Sequence, residues 1–241
     1  MDYLKSEHLK FKRTISNKLI FIVPLITAIF AWIMGGYMGY QYMTLYWWYA
    51  FLLPGAIAIL CFLSHRKEEN AGKYYSVFSM PVNLSRFEFA KGIILVEKLL
   101  VSAIFLALLI SISNIIAPAT AVYSLLHSIT GSIGIILASV WQIPLCLYLA
   151  RKTGMFVPIV LNTILGIVLS TATALGNTIA WWFVPYCWAA KLAEPLMGIE
   201  MNGTYAGNCG FSIAIMISIL LSILLFLILS YVDAKDFSKG R

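Results

Sequence analysis

Residues able to do covalent chemistry are few in this chain and poorly grouped. The three histidines, His8, His65 and His127, are scattered, and no His-Glu-x-x-His zinc pattern occurs. The four cysteines are spread out with no Cys-x-x-Cys pair, which indicates neither a zinc site nor a disulfide framework. Cys187 and Cys209 fall in one loop, where pairing and free thiols are equally open. Glu68-Glu69 is a paired glutamate of the sort used by intramembrane prenyl-protein proteases. It stands in a charged segment, however, and no histidine is placed inside a span. There is no Gly-x-Ser-x-Gly nucleophile elbow and no phosphate-binding Gly-x-x-x-x-Gly-Lys loop. The expectation is a chain that breaks no covalent bond and carries no cofactor or metal of its own.

What the sequence does group is charge. Of 241 residues 61% are hydrophobic and 11% charged, with a net charge of +7. A soluble domain carries about 25% charged residues. A chain this apolar can neither coat a soluble globule nor remain disordered. Residues 19–64, 99–150, 153–190 and 201–232 contain no Asp, Glu, Lys or Arg. A crossing helix needs about 20 apolar residues. These runs predict one transmembrane domain over 1–241, an all-α polytopic membrane protein with six transmembrane helices near 19–40, 46–64, 99–117, 127–150, 155–176 and 211–231. No nucleotide-binding domain is expected. The basic segment before Leu19 and the long apolar run after it do not fit a cleaved signal peptide.

Six crossings put both termini on one side. On that arrangement 16 of the 17 basic residues lie on one face, and Lys191 lies on the other. The positive-inside rule makes the basic face cytoplasmic. A seventh crossing within 177–210 would put the basic tail outside, so none is expected. Basic residues beside spans are explained by insertion and anionic lipid, and no nucleic acid is needed. The span centres lack ionisable groups, which argues against a proton-driven carrier. Gln142 and Asn162, the most polar mid-span residues, are expected to bond between helices. Gly35 and Gly39 form a Gly-x-x-x-Gly that could serve as a close packing face.

Three segments are not plain spans. In residues 3–18, Leu4, His8, Phe11, Ile15 and Leu19 share one helical stripe, with Lys12 flanking it and Arg13 on another face. That pattern predicts a basic amphipathic helix, either a lipid anchor or an elbow that touches a cytoplasmic partner. In the 65–98 loop, Glu68 and Glu69 suit the first turn of a short helix, and Tyr74, Val77 and Phe78 share a face. Pro81 ends that helix. Ser85 and Glu88 then make a capping-box pattern that opens the next helix. Running to Ile116 from Arg86, that helix would be about 46 Å long. It would therefore project beyond the bilayer, carrying Glu88, Lys91, Glu97 and Lys98. The loop is read as a docking element or as an interfacial helix. In the 177–210 loop, Trp181, Trp182, Phe183, Tyr186 and Trp188 form a membrane-interface belt or a surface that meets an amphipathic substrate.

Three motifs in the first 100 residues then carry a resemblance: Leu4 to Thr14 (LKSEHLKFKRT), Trp47-Trp48-Tyr49 followed by Leu53-Pro54-Gly55, and Lys73 to Val82 (KYYSVFSMPV) with Lys91 after it. On these the chain resembles the permease subunits of lantibiotic-immunity ABC transporters, the E-type most closely. The resemblance implies the six-span type V ABC exporter fold. It makes Leu4, Phe11, Lys12, Arg13 and Ile15 parts of an elbow helix. It assigns Glu68, Glu69, Lys73, Tyr74, Tyr75, Val77 and Phe78 to a coupling helix that enters a separate ATPase, and it places re-entrant helices in the external loop. It implies an ABC ATPase partner in two copies that holds ATP and Mg, a homologous G-type permease, membrane lipid and a lantibiotic peptide substrate. The setting would be the plasma membrane of a Gram-positive bacterium. The competing readings are a multidrug or lipid ABC exporter and an ATPase-independent secondary carrier.

Overall fold

The computed structural model describes residues 3–11, 14–70 and 83–239. Its longer elements are α-helices: α1 Tyr3–Phe11, α2 Ile15–Trp47, α3 Leu53–Asn70, α4 Leu84–Ile116, α5 Leu125–Ser139, α6 Gln142–Thr153, α7 Phe156–Ser170, α8 Cys187–Met197 and α9 Ile213–Lys239. Among the described residues three helical runs are long and apolar enough to cross a membrane: Ile15–Asn70, Leu84–Ile116 and Ile213–Phe237. The pair α5 and α6, bent by 48°, makes a fourth if it is counted as one span.

The 56-residue run Ile15–Asn70 is not one rod. Gly36 breaks it with φ 54° and ψ −162°, a backbone region that side chains disfavour. The rings of Phe30 and Trp47 lie 5.0 Å apart, whereas a straight helix would separate those residues by about 25 Å. The chain therefore doubles back at Gly36. The turn comes earlier than the expected break between 40 and 46, because helix resumes at Tyr37. Gly35 and Gly39 are used inside this turn, against Met43 and Tyr42, and not as a face for another helix.

Gln41 holds the hairpin to its neighbour. Its Nε2 donates to Ser113 Oγ at 2.8 Å and to Asn114 Oδ1 at 2.6 Å. Its Oε1 accepts from the backbone N–H groups of Val122 and Tyr123. Lower down, Ser102 Oγ donates to the Ile20 carbonyl, and Phe21 meets Phe105 edge-on at 5.2 Å. Matched heights on α2 and α4 thus rise together. The first arm of the hairpin runs parallel to α4, and the second arm runs back.

The second arm passes through a π-helical turn, Trp48–Leu52, before Pro54. α7 crosses there at close range. A Cβ on Gly166 would lie 2.8 Å from Pro54 Cγ, so only glycine permits this approach. Asn162 Nδ2 donates to the Pro54 carbonyl at 2.7 Å and to Gln142 Oε1 at 2.9 Å, and Tyr186 Oη donates to Asn162 Oδ1 at 2.8 Å. Gln142 and Asn162 do bond between helices.

Several boundaries differ from the expected ones. α4 is capped by Asn83, whose side chain accepts from the Arg86 N–H, rather than by a Ser85–Glu88 box. The 127–150 segment is two helices, α5 and α6, joined at Val140–Trp141. α7 stops at Ser170 and has 15 residues, so it is shorter than the expected 155–176. α9 continues past 231 to Lys239. α8 has 11 residues, about 16 Å, too short to cross.

Gly36→Val is expected to destabilise the hairpin by about 1–3 kcal/mol. Gly210→Ala, at an open site, is expected to change nothing. Thermal melting of the purified chain in detergent checks both.

Candidate functional site

The residues the sequence placed in exposed segments converge instead into a buried ionic layer. It lies at the basic end of the bundle, where α1, α3, α4, α6 and α9 meet. Glu7 is 1% exposed and Lys91 1%, and Glu68, Glu88, Lys98 and Asp233 are also buried. Glu88, Lys91 and Lys98, expected on a helix extension beyond the bilayer, are packed inside this layer. A carboxylate or ammonium removed from water needs a partner, and each of these has one. Lys10 Nζ donates to Glu7 Oε1 at 2.5 Å and also to Glu68 Oε1. Lys91 Nζ donates to Glu88 Oε1 at 3.0 Å. Lys98 Nζ donates to Glu97 Oε1 at 3.1 Å and lies 3.4 Å from His8 Nδ1. Arg151 pairs with Asp233, and Lys152 Nζ lies 2.9 Å from Asp236 Oδ2.

Two aromatic rings join these pairs. Phe87 and Phe237 stack with centroids 6.4 Å apart and planes at 21°. Lys10 Nζ lies 4.8 Å and Lys91 Nζ 4.9 Å from the Phe87 centroid, and Arg151 Cζ lies 5.1 Å from the Phe237 centroid. The negative ring faces offset part of the cost of burying the cations. Arg151, Asp233, Glu7 and Phe87 were missed in the sequence. Glu7/Lys10 and Glu88/Lys91 were legible as i, i+3 pairs, but Arg151 and Asp233 are 82 residues apart.

The expected elbow residues divide. Phe11 is buried, while Leu4 and Ile15 are exposed, Ile15 at 69%. α1 is described to Phe11, and Thr14, extended at φ −105° and ψ 163°, stands at the start of α2. The single stripe from Leu4 to Leu19 does not survive this break. Lys12 and Arg13 lie outside the described residues. Glu68 and Glu69 belong to the last turn of α3, not the first turn of a separate helix. The helix dipole opposes them there. Lys10 offsets this for Glu68, and His65 Nε2 lies 3.9 Å from Glu69 Oε2. Lys73, Tyr74, Tyr75, Val77 and Phe78 lie outside the described residues.

The opposite end is an aromatic cap. Its expected surface also divides: Trp181, Tyr186 and Trp188 are buried, while Trp182 is exposed and Phe183 is 84% exposed. Tyr186 and Trp188 pack edge-on against Trp141 at 4.8 and 6.2 Å, so they are core residues rather than a contact surface. Gly198, left-handed at φ 66°, ends α8 and turns the chain so that Ile199 pairs with Tyr205. Tyr123 Oη donates to the Met197 carbonyl at 2.6 Å, which holds the cap to the segment just before α5. The cysteines are free, Cys187 buried against the Leu169 carbonyl and Cys209 exposed. An apolar groove of about 320 Å³ opens beside this end, lined in part by Leu25, Trp32, Tyr37, Tyr40 and Ile112. Among the described residues no group of His, Cys, Asp or Glu could hold a metal ion.

Burial pushes the Glu7 carboxyl above the usual range, against the opposing pull of Lys10. A raised native value means stability that is full below about pH 4.5 and lost as pH rises through that raised value. Glu7→Gln should remove this loss, seen as a smaller fall in melting temperature from acidic to neutral pH than in the wild type. Asp233→Ala leaves the half-buried Arg151 with Asp236 at 3.6 Å and should cost about 1.5–3 kcal/mol. The double variant Arg151→Met with Asp233→Leu should recover most of it in denaturant titration.

A family model described as an ABC-2 family transporter protein matches residues 3–169. No curated protein and no solved structure matches the chain.

Proposed function

Because the chain belongs to the ABC-2 family of transporter proteins, it is a membrane permease component of an ABC transporter, and we propose that it exports lantibiotic peptides to protect the cell. The family implies an ABC ATPase partner, which does the ATP hydrolysis. In this reading the partner is present in two copies, each with ATP and Mg, and a G-type permease completes the membrane pair. The chain makes six crossings in the plasma membrane of a Gram-positive bacterium, with both termini cytoplasmic. The first two crossings are the arms that meet at Gly36. α5 with α6, and α7, are the fourth and fifth. The basic end then faces the cytoplasm, as the positive-inside rule requires.

The observation that carries the coupling part is the ionic layer on both sides of residues 71–82. Glu68, just before that segment, is paired with Lys10 of α1. Phe87, just after it, lies under Lys10 and against Phe237 of α9. A push on the segment from an ATPase would therefore reach α1, α3, α4 and α9 together. α1 acts as the elbow helix, and the coupling residues begin on the last turn of α3 at Glu68 and Glu69 and continue into the segment that follows it. Buried ion pairs have discrete geometries, so motion passes through them as a shift of whole helix ends. The substrate part is supported by the motifs at Leu4–Thr14, Trp47–Gly55 and Lys73–Val82, all inside the family match. The lateral groove beside Trp32 and Tyr37, with the exposed Trp182 and Phe183, suits an amphipathic peptide drawn from the outer leaflet.

Tyr74→Asp with Phe78→Asp is expected to abolish co-purification of the ATPase and to remove protection of growing cells against lantibiotic. Full recovery of the complex would overturn the coupling assignment. A wild-type transporter that gives no protection against any lantibiotic, yet hydrolyses ATP, would overturn the substrate.

A further inference from the structure

Between α1, α4 and α9 an open groove of about 560 Å³ faces away from the bundle core. Its walls change character along its length. Ser85 and Arg86, in the first turn of α4, form one end, with Tyr3 beside them. Phe89, Ile93 and Leu227 form the other end, and all three are exposed large apolar side chains. Tyr3 closes the side of the groove by accepting the Asn83 N–H at 3.2 Å.

Arg86 differs from the cations of the neighbouring layer. Lys10, Lys91 and Arg151 each meet a carboxylate. Among the described residues no carboxylate pairs with Arg86, which is exposed at the lip of an apolar channel. The depth of the groove is also marked. Phe89 lies 6.2 Å from Phe226, and toward the chain end α9 turns from apolar residues to Asp233, Lys235 and Asp236. The polar end of the groove is thus level with the first charged residues, and its apolar end is level with hydrocarbon-facing side chains.

We propose that this groove binds one anionic phospholipid, with its phosphate on Arg86 and an acyl chain against Phe89, Ile93 and Leu227. The guanidinium supplies the fork that phosphate oxygens accept. A basic pocket between membrane helices recognises an anionic headgroup by charge. The volume lies within the range of ligand pockets, roughly 300–1,000 Å³. Placement in the cytoplasmic leaflet rests on the topology proposed above; the lipid assignment rests on the groove alone. The bound lipid would fasten α1 to α4 and α9, beside the ionic layer.

The test uses the full chain purified in detergent, loaded with equal phosphatidylglycerol and phosphatidylcholine, and weighed by native mass spectrometry. Wild type should retain one phosphatidylglycerol over phosphatidylcholine by about five-fold, the weight of one basic residue at an anionic surface. Arg86→Ala should lose the preference and Arg86→Lys should keep most of it. Arg86→Gln repeats the loss if the alanine variant does not fold. Phe89→Trp, which narrows the channel, should lower retention of both lipids. Equal retention in wild type, or a preference unchanged in Arg86→Ala and Arg86→Gln, overturns the proposal. So does displacement by glycerol 3-phosphate as effective as by lipid, or a second copy of the chain filling the groove. Ser85→Cys in a Cys209→Ser background reports the leaflet separately. Labelling by an impermeant maleimide from outside intact cells would overturn the cytoplasmic placement and leave the lipid result standing.

Discussion

A charge that leaves water must meet an opposite charge, and the basic end of this bundle is built around that requirement. The long apolar runs exclude ionisable residues, so the charged residues collect where helices end. Packing five helix ends together then buries several of them. Glu7, Glu68, Glu88 and Asp233 are kept there by Lys10, Lys91 and Arg151, with Phe87 and Phe237 filling the space between. Removing one partner would leave a desolvated charge, which is why such pairs resist piecemeal change even when they add little net stability. The layer therefore links helices that are distant in sequence more tightly than apolar contact alone would.

The remainder of the bundle follows a gentler logic. In a lipid-exposed chain apolar contact has no water to escape, so close backbone approach and side-chain hydrogen bonds position the helices. Gly166 against Pro54 is one such approach, and the Gln142–Asn162–Tyr186 chain beside it uses the bonding capacity of buried amides. Gln41 does the same at the opposite end, where it bonds α2, α4 and the 122–123 backbone at once. Each end of the molecule thus has a polar fastening, ionic at the basic end and neutral at the other. A permease that must move as a unit when its ATPase acts benefits from fastenings of this kind, because they transmit displacement without softening.

The helical class and the apolar runs were legible from composition and spacing, since the charge-free stretches are long enough for membrane helices. α4 was anticipated to within two residues from Ser85 and the long apolar run, although its cap is Asn83. The site was less legible. Glu68 and Glu69 look like a helix beginning, as acids favour N-terminal turns, yet α3 runs through them and Lys10 compensates. The aromatic run 181–188 reads as one surface in sequence, but Trp141 claims Tyr186 and Trp188 and leaves Trp182 and Phe183 outside.

By itself the sequence determined that this chain is helical, that its apolar runs suit a membrane, and where its charges cluster along the chain. Those properties follow from how many charges there are and where they lie, which needs no coordinates. Tertiary structure alone decided that the chain reverses at Gly36, that extended Thr14 separates α1 from α2, and that Arg151 meets Asp233. The physical reason is range. Hydropathy and helix propensity act over a turn or a span, whereas ion pairs and ring contacts depend on which distant helix ends come together.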